Sequence, residues 1–301
     1  MSWYRAGKGP QVLGHEIAGE IVEIGEGVTK YKVGQRVSAS HHVPCNTCRY
    51  CLNDRHTVCE TLRTTKFHPG GFSEYVRLPE INVDRGVYLL PDEMSYEEAT
   101  FIEPLACVLR GQRKAGMSIG KAVLVIGSGI SGLLHIQLAK ALGASLVVAT
   151  DIKEFRLKAA KSLGADEIIH ASKNVPEEFK KINKGRGADL VILCAGAPSA
   201  VEQALRSVDR GGTALFFAPL SGGGTVPLPV NDLFWRQEIT LTSSYAANYH
   251  EHMIAMELIH QKKVNVRDMI THRLPLSETQ RGFELTESGE ESLKVIIEPW
   301  G

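Results

Sequence analysis

Two kinds of periodicity run along the chain, and they change over near residue 96. Before it, apolar positions come in short alternating runs. In "IAGEIVEIG" Ile17, Gly19 and Ile21 share one phase and Glu20 the other, and "RVSAS" follows after Gly-rich turns. "GGFSEYVRLP" adds a run behind the turn glycines Gly70 and Gly71. Period two predicts half-buried β-strands, so this part reads as mainly β.

In "SYEEATFIEPLACVLRGQRKA" the spacing becomes helical, with Ser95 as the expected N-cap and Pro104 as a kink or restart. Strand and helix then alternate: "KAVLVIG" into "ISGLLHIQLAKALGA", "SLVVATD" into "EFRLKAAKSLGA", "DEIIH", "ADLVILCAG" into "PSAVEQALRSVDRGG", "TALFFAP" and "EITLTSS". Continuous apolar strands between amphipathic helices predict an α/β unit, a doubly wound parallel sheet covered on both faces. The tail carries a helix, "HEHMIAMELIHQKKV", and ends in a short isolated strand expected to rejoin the first part. The expected divisions are therefore 1–111, 112–248 and 249–301.

Length and composition narrow the function classes. At 301 residues the chain has room for two domains, and its 43% hydrophobic and 23% charged residues are ordinary globular values. Lys plus Arg equals Asp plus Glu at 34 each, which gives no electrostatic footprint for nucleic acid or an anionic membrane. Arg5 and Lys8 precede no apolar signal region, and no run reaches the 18 or so apolar residues of a membrane span. The expected location is cytoplasmic.

"VLVIGSGISGLLHIQLAKALGA" places Gly127, Gly129 and Gly132 after an apolar strand and at the opening of a helix. G-x-G-x-x-G alone is weak evidence, since glycine turns are common. Here the next strand ends in Asp151, 19 residues beyond Gly132, where a carboxylate accepts hydrogen bonds from a ribose diol. Gly127, Gly129, Ile130, Gly132 and Asp151 are the cofactor-binding candidates, with the helix N-terminus facing the pyrophosphate. Asp151 repels a 2′-phosphate, so NAD is expected over NADP. Nearby Lys153 and Arg156 moderate that preference.

Six cysteines are present, four of them in "CNTCRYCLNDRHTVC": Cys45, Cys48, Cys51 and Cys59. Four thiolates from the loop 45–59 suit a closed, tetrahedral structural zinc. An iron–sulfur cluster or a disulfide pair are the alternatives. A nucleic-acid zinc module is rejected, because the loop carries no basic excess and no recognition helix follows. Cys107 and Cys194 read as core positions.

Gly14-His15-Glu16, the four-cysteine loop, "PGGFSEYV", "IEPLACVLR", "VIGSGISG" and Asp151 together resemble the zinc-dependent medium-chain alcohol dehydrogenases, over essentially the whole chain. The Glu-Pro-Leu segment is most similar to the polyol (sorbitol/iditol) and threonine dehydrogenase branch. The resemblance implies a Rossmann coenzyme domain set into a mainly β, GroES-like catalytic domain. It also implies a catalytic zinc on His15, with Glu16 and Glu103 as direct or alternating ligands. Glu16 as partner of a basic group and Glu103 as a helix-start carboxylate stay open.

The family also takes a zinc ligand and a proton-relay hydroxyl from a Cys-x-x-Asp/Ser/Thr segment before Gly-His-Glu, and none precedes His15 here. The catalytic domain is accordingly expected to be N-terminally incomplete, with a weakened catalytic zinc and an uncovered apolar face. The implied function is zinc-dependent hydride transfer between NAD and a secondary alcohol, polyol or sugar-like substrate. The alternative is an NAD-binding, structural-zinc protein with little catalysis. His41, His42, Lys66, His68, Arg110 and Tyr245 are weaker candidates for contacts to substrate hydroxyls. A homo-oligomer, dimer or tetramer, is implied, with "EITLTSSYAAN" as the pairing segment.

Overall fold

The computed structural model describes residues 11–220, 222 and 224–300, so the opening segment with Arg5 and Lys8 lies outside the described residues. The first part builds an antiparallel sheet. Strand β1 (Ile17–Glu20) pairs with β2 (Arg36–Ala39), Ile17 standing opposite Ala39. After the short helices α1 (Glu60–Thr64) and α2 (Glu80–Arg85), β3 (Val87–Leu89) closes the order β1-β2-β3. Val37, Ala39, Phe67 and Val87 are its buried centre.

"GGFSEYVRLP" forms no strand; it makes only a bridge between His68 and Arg77. The amides of Gly71 and Phe72 donate to Gly14 and Leu13, and the Ser73 hydroxyl then donates to the Gly70 and Tyr75 carbonyls. That local bonding turns the backbone away from a ladder.

Helix α3 (Tyr96–Ala99) starts at Ser95 with a reciprocal capping box to Glu98. Helix α4 (Ile102–Lys114) restarts after it, with Pro104 in the first turn, where a missing N–H costs nothing.

Next come β4 (Ala122–Ile126), α5 (Ile130–Ala141), β5 (Leu146–Asp151), α6 (Glu154–Ser162), β6 (Glu167–His170) and α7 (Val175–Ile182). They are followed by β7 (Ala188–Leu193), α8 (Pro198–Ser207), β8 (Val208–Phe216), α9 (Val230–Phe234) and β9 (Thr240–Ser243). The six strands lie parallel in the order β6-β5-β4-β7-β8-β9. Counted from β4 this is the doubly wound order 3-2-1-4-5-6. Both faces are buried: Val123 and Val125 pack with Leu133 and Leu105, while Leu124 and Ile126 pack with Phe179 and Val201. Two apolar faces are why these strands read as continuous apolar runs.

Helix α10 (Tyr249–His260) lies along α4, where Arg110 and Glu251 pair at 3.4 Å. The final strand is not isolated, contrary to the pattern reading. Strand β10 (Ile270–Pro275) and β11 (Lys294–Glu298) form a parallel pair joined through α11 (Thr279–Ser288). His272, Arg273 and Pro275 hid β10, because a two-stranded ribbon needs few apolar positions. Phe283 meets Phe72 edge-on at 5.5 Å, and Trp300 meets Tyr75 at 5.4 Å. Among the described residues no helix is long and apolar enough to cross a membrane.

Candidate active site

The cysteine loop brings its four sulfurs together. Cys45 and Cys51 Sγ are 3.9 Å apart, Cys48 and Cys51 3.6 Å, and Cys59 and Cys45 3.6 Å. Tetrahedral zinc with bonds of about 2.3 Å needs sulfurs about 3.8 Å apart, so the residues fit that ion. The Thr47 and Cys48 amides point at Cys45 Sγ and bring its thiol down to about 5, favouring the thiolate a metal requires. Cys51, Cys59 and Leu62 are buried here, and Ala246 packs against them.

A second group of donors gathers where β1 and β2 meet. One ligand atom each from His15, His41 and Glu103 lies within 4.8 Å of the others. His15 is presented by a clamped loop. Gly14 takes φ +91°, and a Cβ there would lie 3.0 Å from the Phe72 ring and amide, so the approach of residues 71–72 requires glycine. His41 arrives by register. Since Ile17 stands opposite Ala39, extending the antiparallel pairing by two residues puts His41 opposite His15, and their rings are 4.3 Å apart. Glu103 comes from the first turn of α4, buried, with the Cys107 thiol donating to its Oε1 at 3.4 Å.

Glu16 falls outside this donor group. Its carboxylate is ion-paired with Lys294, the first residue of β11, whose Nζ also sits 5.0 Å from the Phe101 ring centroid. Burial opposes ionisation of Glu16, but the Lys294 and His15 charges outweigh it and hold the carboxyl below its ordinary value. Glu103 goes the other way: burial, reinforced by the Glu16 charge against the opposing pull of His15, raises it. One carboxylate is thus matched by an ammonium, and the other is buried beside two imidazoles.

The weaker sequence candidates separate. His42 is engaged by the Thr65 carbonyl at 3.1 Å and by Tyr245 Oη at 3.2 Å, and burial brings it down to about 4. Arg110 belongs to the buried pair with Glu251. Lys66 and His68 are exposed. What sequence reasoning missed is that His41 joins His15 and Glu103. The signal was the strand register, which cannot be read before the β1–β2 pairing is known.

The glycine turn sits between the carboxyl ends of β4 and β7, where the strand order reverses and ligands of such sheets bind. Gly127 has φ +94°, and a Cβ on it would lie 3.0 Å from the Cys194 carbonyl carbon. A Cβ on Gly132 would lie 1.9 Å from the Gly127 carbonyl oxygen, so strand and helix pack only through glycine. At Gly129 the nearest atom would be Arg156 Nη1, at 4.0 Å. Among the described residues nothing crowds that position, so the backbone of Gly129 is open to approach. Ile130 opens α5 directly behind it. Asp151 is buried at the end of β5, accepting from the Ser128 amide at 2.8 Å and the Lys153 amide at 2.9 Å. The Lys153 ammonium points away, to Glu290 at 2.7 Å.

Comparison with known proteins agrees with this architecture. The alcohol dehydrogenase GroES-like domain family matches residues 2–92, and the zinc-binding dehydrogenase family matches residues 131–261. The sorbitol dehydrogenase of Bacillus subtilis is 33% identical over 295 residues, covering 96% of this chain and 81% of the relative. The L-threonine 3-dehydrogenase of Bacillus licheniformis is 32% identical over 292 residues, covering 96% and 83%. Among solved structures, a zinc-binding dehydrogenase from Sinorhizobium meliloti bound to NADP superposes with a TM-score of 0.85 at 28% identity, over 96% of this chain and 84% of that one. On these matches, and on the sheet and donor groups that they overlie, the chain belongs to the zinc-dependent medium-chain alcohol dehydrogenases, with the sorbitol and threonine dehydrogenases among its homologues.

Proposed function

We propose that the chain is a nicotinamide-dependent zinc dehydrogenase acting on a secondary alcohol, polyol or sugar-like substrate, and that NAD is its preferred coenzyme. The observation that carries this is the convergence of His15 and Glu103, 88 positions apart in the sequence, in one donor group whose imidazoles are half-buried and whose carboxylate is buried. Two imidazoles and a carboxylate suit zinc, and the four-cysteine loop suits a second, structural ion.

Held by these residues, zinc would supply the Lewis acidity that lets a substrate hydroxyl lose its proton to solvent, and a nicotinamide coenzyme would supply the acceptor for the hydride of the same carbinol. The chain's own residues supply the rest. His15 and Glu103 would hold the metal, and Lys294 keeps the Glu16 carboxylate ionised one residue from His15. The Gly129 backbone and the start of α5 receive the pyrophosphate, and the buried Asp151 faces the adenosine ribose. NAD is favoured because that carboxylate opposes a 2′-phosphate and the Lys153 ammonium is committed to Glu290. Arg156 beside Gly129 is the cation that favours NADP, the coenzyme bound to the Sinorhizobium meliloti protein.

The names of the relatives set the substrate panel: sorbitol, other polyols, simple secondary alcohols and L-threonine. Steady-state reduction of NAD and NADP by this panel tests the reading. Turnover with at least one member, faster with NAD and abolished by chelation, is expected; coenzyme binding without any turnover would instead favour a catalytically silent NAD-binding protein. The same reading includes a homo-oligomer paired through β9, one of the two edge strands of the sheet, the other being β6. Light scattering of the native chain tests that point.

A further inference from the structure

We propose that His41 is the third protein ligand of the metal held by His15 and Glu103, making a donor set of two imidazoles and one carboxylate from which Glu16 is held apart. The proposal rests on the dehydrogenase reading for the presence of the metal. It adds the composition of the donor set.

The β1–β2 register places His41 across from His15, and the three donor atoms lie within 4.8 Å of one another. Two ligands about 2.0–2.1 Å from a tetrahedral zinc sit about 3.4 Å apart, so the group needs to contract by no more than about 1.4 Å. Side-chain rotation covers that. The His41 Nδ1 is buried and makes no hydrogen bond among the described residues. A buried imidazole nitrogen without a partner needs an explanation, and a metal supplies one.

The backbone around His41 is fixed from outside the donor group. Asn82, wholly buried on α2, donates to the carbonyls of Ser40 at 2.9 Å and His41 at 3.0 Å. The Ser40 hydroxyl donates to the His42 carbonyl at 2.9 Å. His42 cannot take the role, since Thr65 and Tyr245 engage both of its ring nitrogens. Nor is the Glu16 carboxylate in the group, because Lys294 holds it. Among the described residues these three ligands, with one negative charge, leave a zinc ion one open position, the arrangement of catalytic rather than structural sites.

The test uses the full chain with its four-cysteine site loaded with zinc and the second site titrated with cobalt(II) against a chromophoric chelator. His41→Ala and His41→Gln are expected to weaken cobalt binding by at least ~100-fold and to alter its visible ligand-field band, since loss of an outer-shell partner costs about 10–100-fold. His42→Ala is expected to stay within ~10-fold of the parent. Cobalt affinity and spectrum unchanged in both His41 variants would overturn the proposal. In the unmutated protein, cadmium at the second site is expected to show scalar coupling to two imidazoles, and a single coupled imidazole would overturn it without any variant. If the unmutated chain takes up no cobalt beyond the cysteine site, the dehydrogenase reading itself fails.

Discussion

Lys294 reaches from the last strand of the described residues to the carboxylate of Glu16, the neighbour of His15, and so ties β11 to the segment that presents His15. Its own side chain is nearly buried, while Glu16 keeps 32% of its side-chain surface in water. Removing one partner of a buried pair costs about 3–5 kcal/mol, and the partial exposure of Glu16 reduces the expectation here to about 2–4 kcal/mol. Lys294→Met is expected to lower unfolding stability by that amount in urea. A double-mutant cycle with Glu16→Gln is expected to show strong coupling, and additive effects would mean that the pair contributes little.

Gly132 and Gly129 of the turn are expected to respond differently to a methyl group. Gly132→Ala places a Cβ 1.9 Å from a backbone oxygen, so it is expected to destabilise the coenzyme domain by several kcal/mol as well as to abolish binding. Gly129→Ala meets nothing within hard contact and has φ −71°, so the fold is expected to survive unchanged. Its dinucleotide affinity is nevertheless expected to drop at least ~10-fold, because the methyl group stands where a phosphate approaches the backbone. Thermal melting and NADH fluorescence titration of the two variants check this, and equal affinity in Gly129→Ala would remove the pyrophosphate from that position.

Acid stability carries a signature from His135 in α5. Burial brings this ring down to about 3, with Gln112 Nε2 3.1 Å from its Nδ1 and the Phe217 ring edge-on at 4.6 Å. The unfolded chain takes up the proton near pH 6.5 and the folded chain only near 3. The stabilisation is therefore fully present above about pH 6.5 and is lost as pH falls towards 3, at up to about 1.4 kcal/mol per pH unit. His135→Gln is expected to flatten the decline in unfolding free energy between about pH 6.5 and 5 relative to the parent. Identical slopes would show that the ring is accessible to protons when folded.

The four-cysteine loop is expected to behave as a folding element. Cys59→Ser removes a buried thiol beside Leu62 and leaves three of the four clustered thiols. Metal analysis is expected to show the loss of one zinc per chain, with a melting temperature lowered by several degrees. Retention of that zinc with unchanged melting would point to some other role for the loop.

Much of this was legible in the sequence because it rests on local rules. The strand-helix alternation follows from two-sided burial, the Ser95 cap and the Pro104 restart follow from backbone donors, and the cysteine spacing follows from one short loop closing on itself. What stayed hidden depends on pairing between distant segments. Strand β10 is polar because it belongs to a two-stranded ribbon, and the pairing of Glu16 with Lys294 spans 278 positions. His41 and His42 are identical neighbours in the sequence. Only the register with β1 brings one of them to His15 and leaves the other to Thr65 and Tyr245.

The most direct test of the dehydrogenase account is zinc-dependent NAD reduction by the polyol and secondary-alcohol panel, measured in the parent, His15→Ala and Glu103→Ala with the cysteine site verified as loaded. Turnover in the parent, a loss of at least ~100-fold in both variants, and unchanged NADH binding are predicted. Turnover that persists at the parent rate in His15→Ala and Glu103→Ala would contradict it.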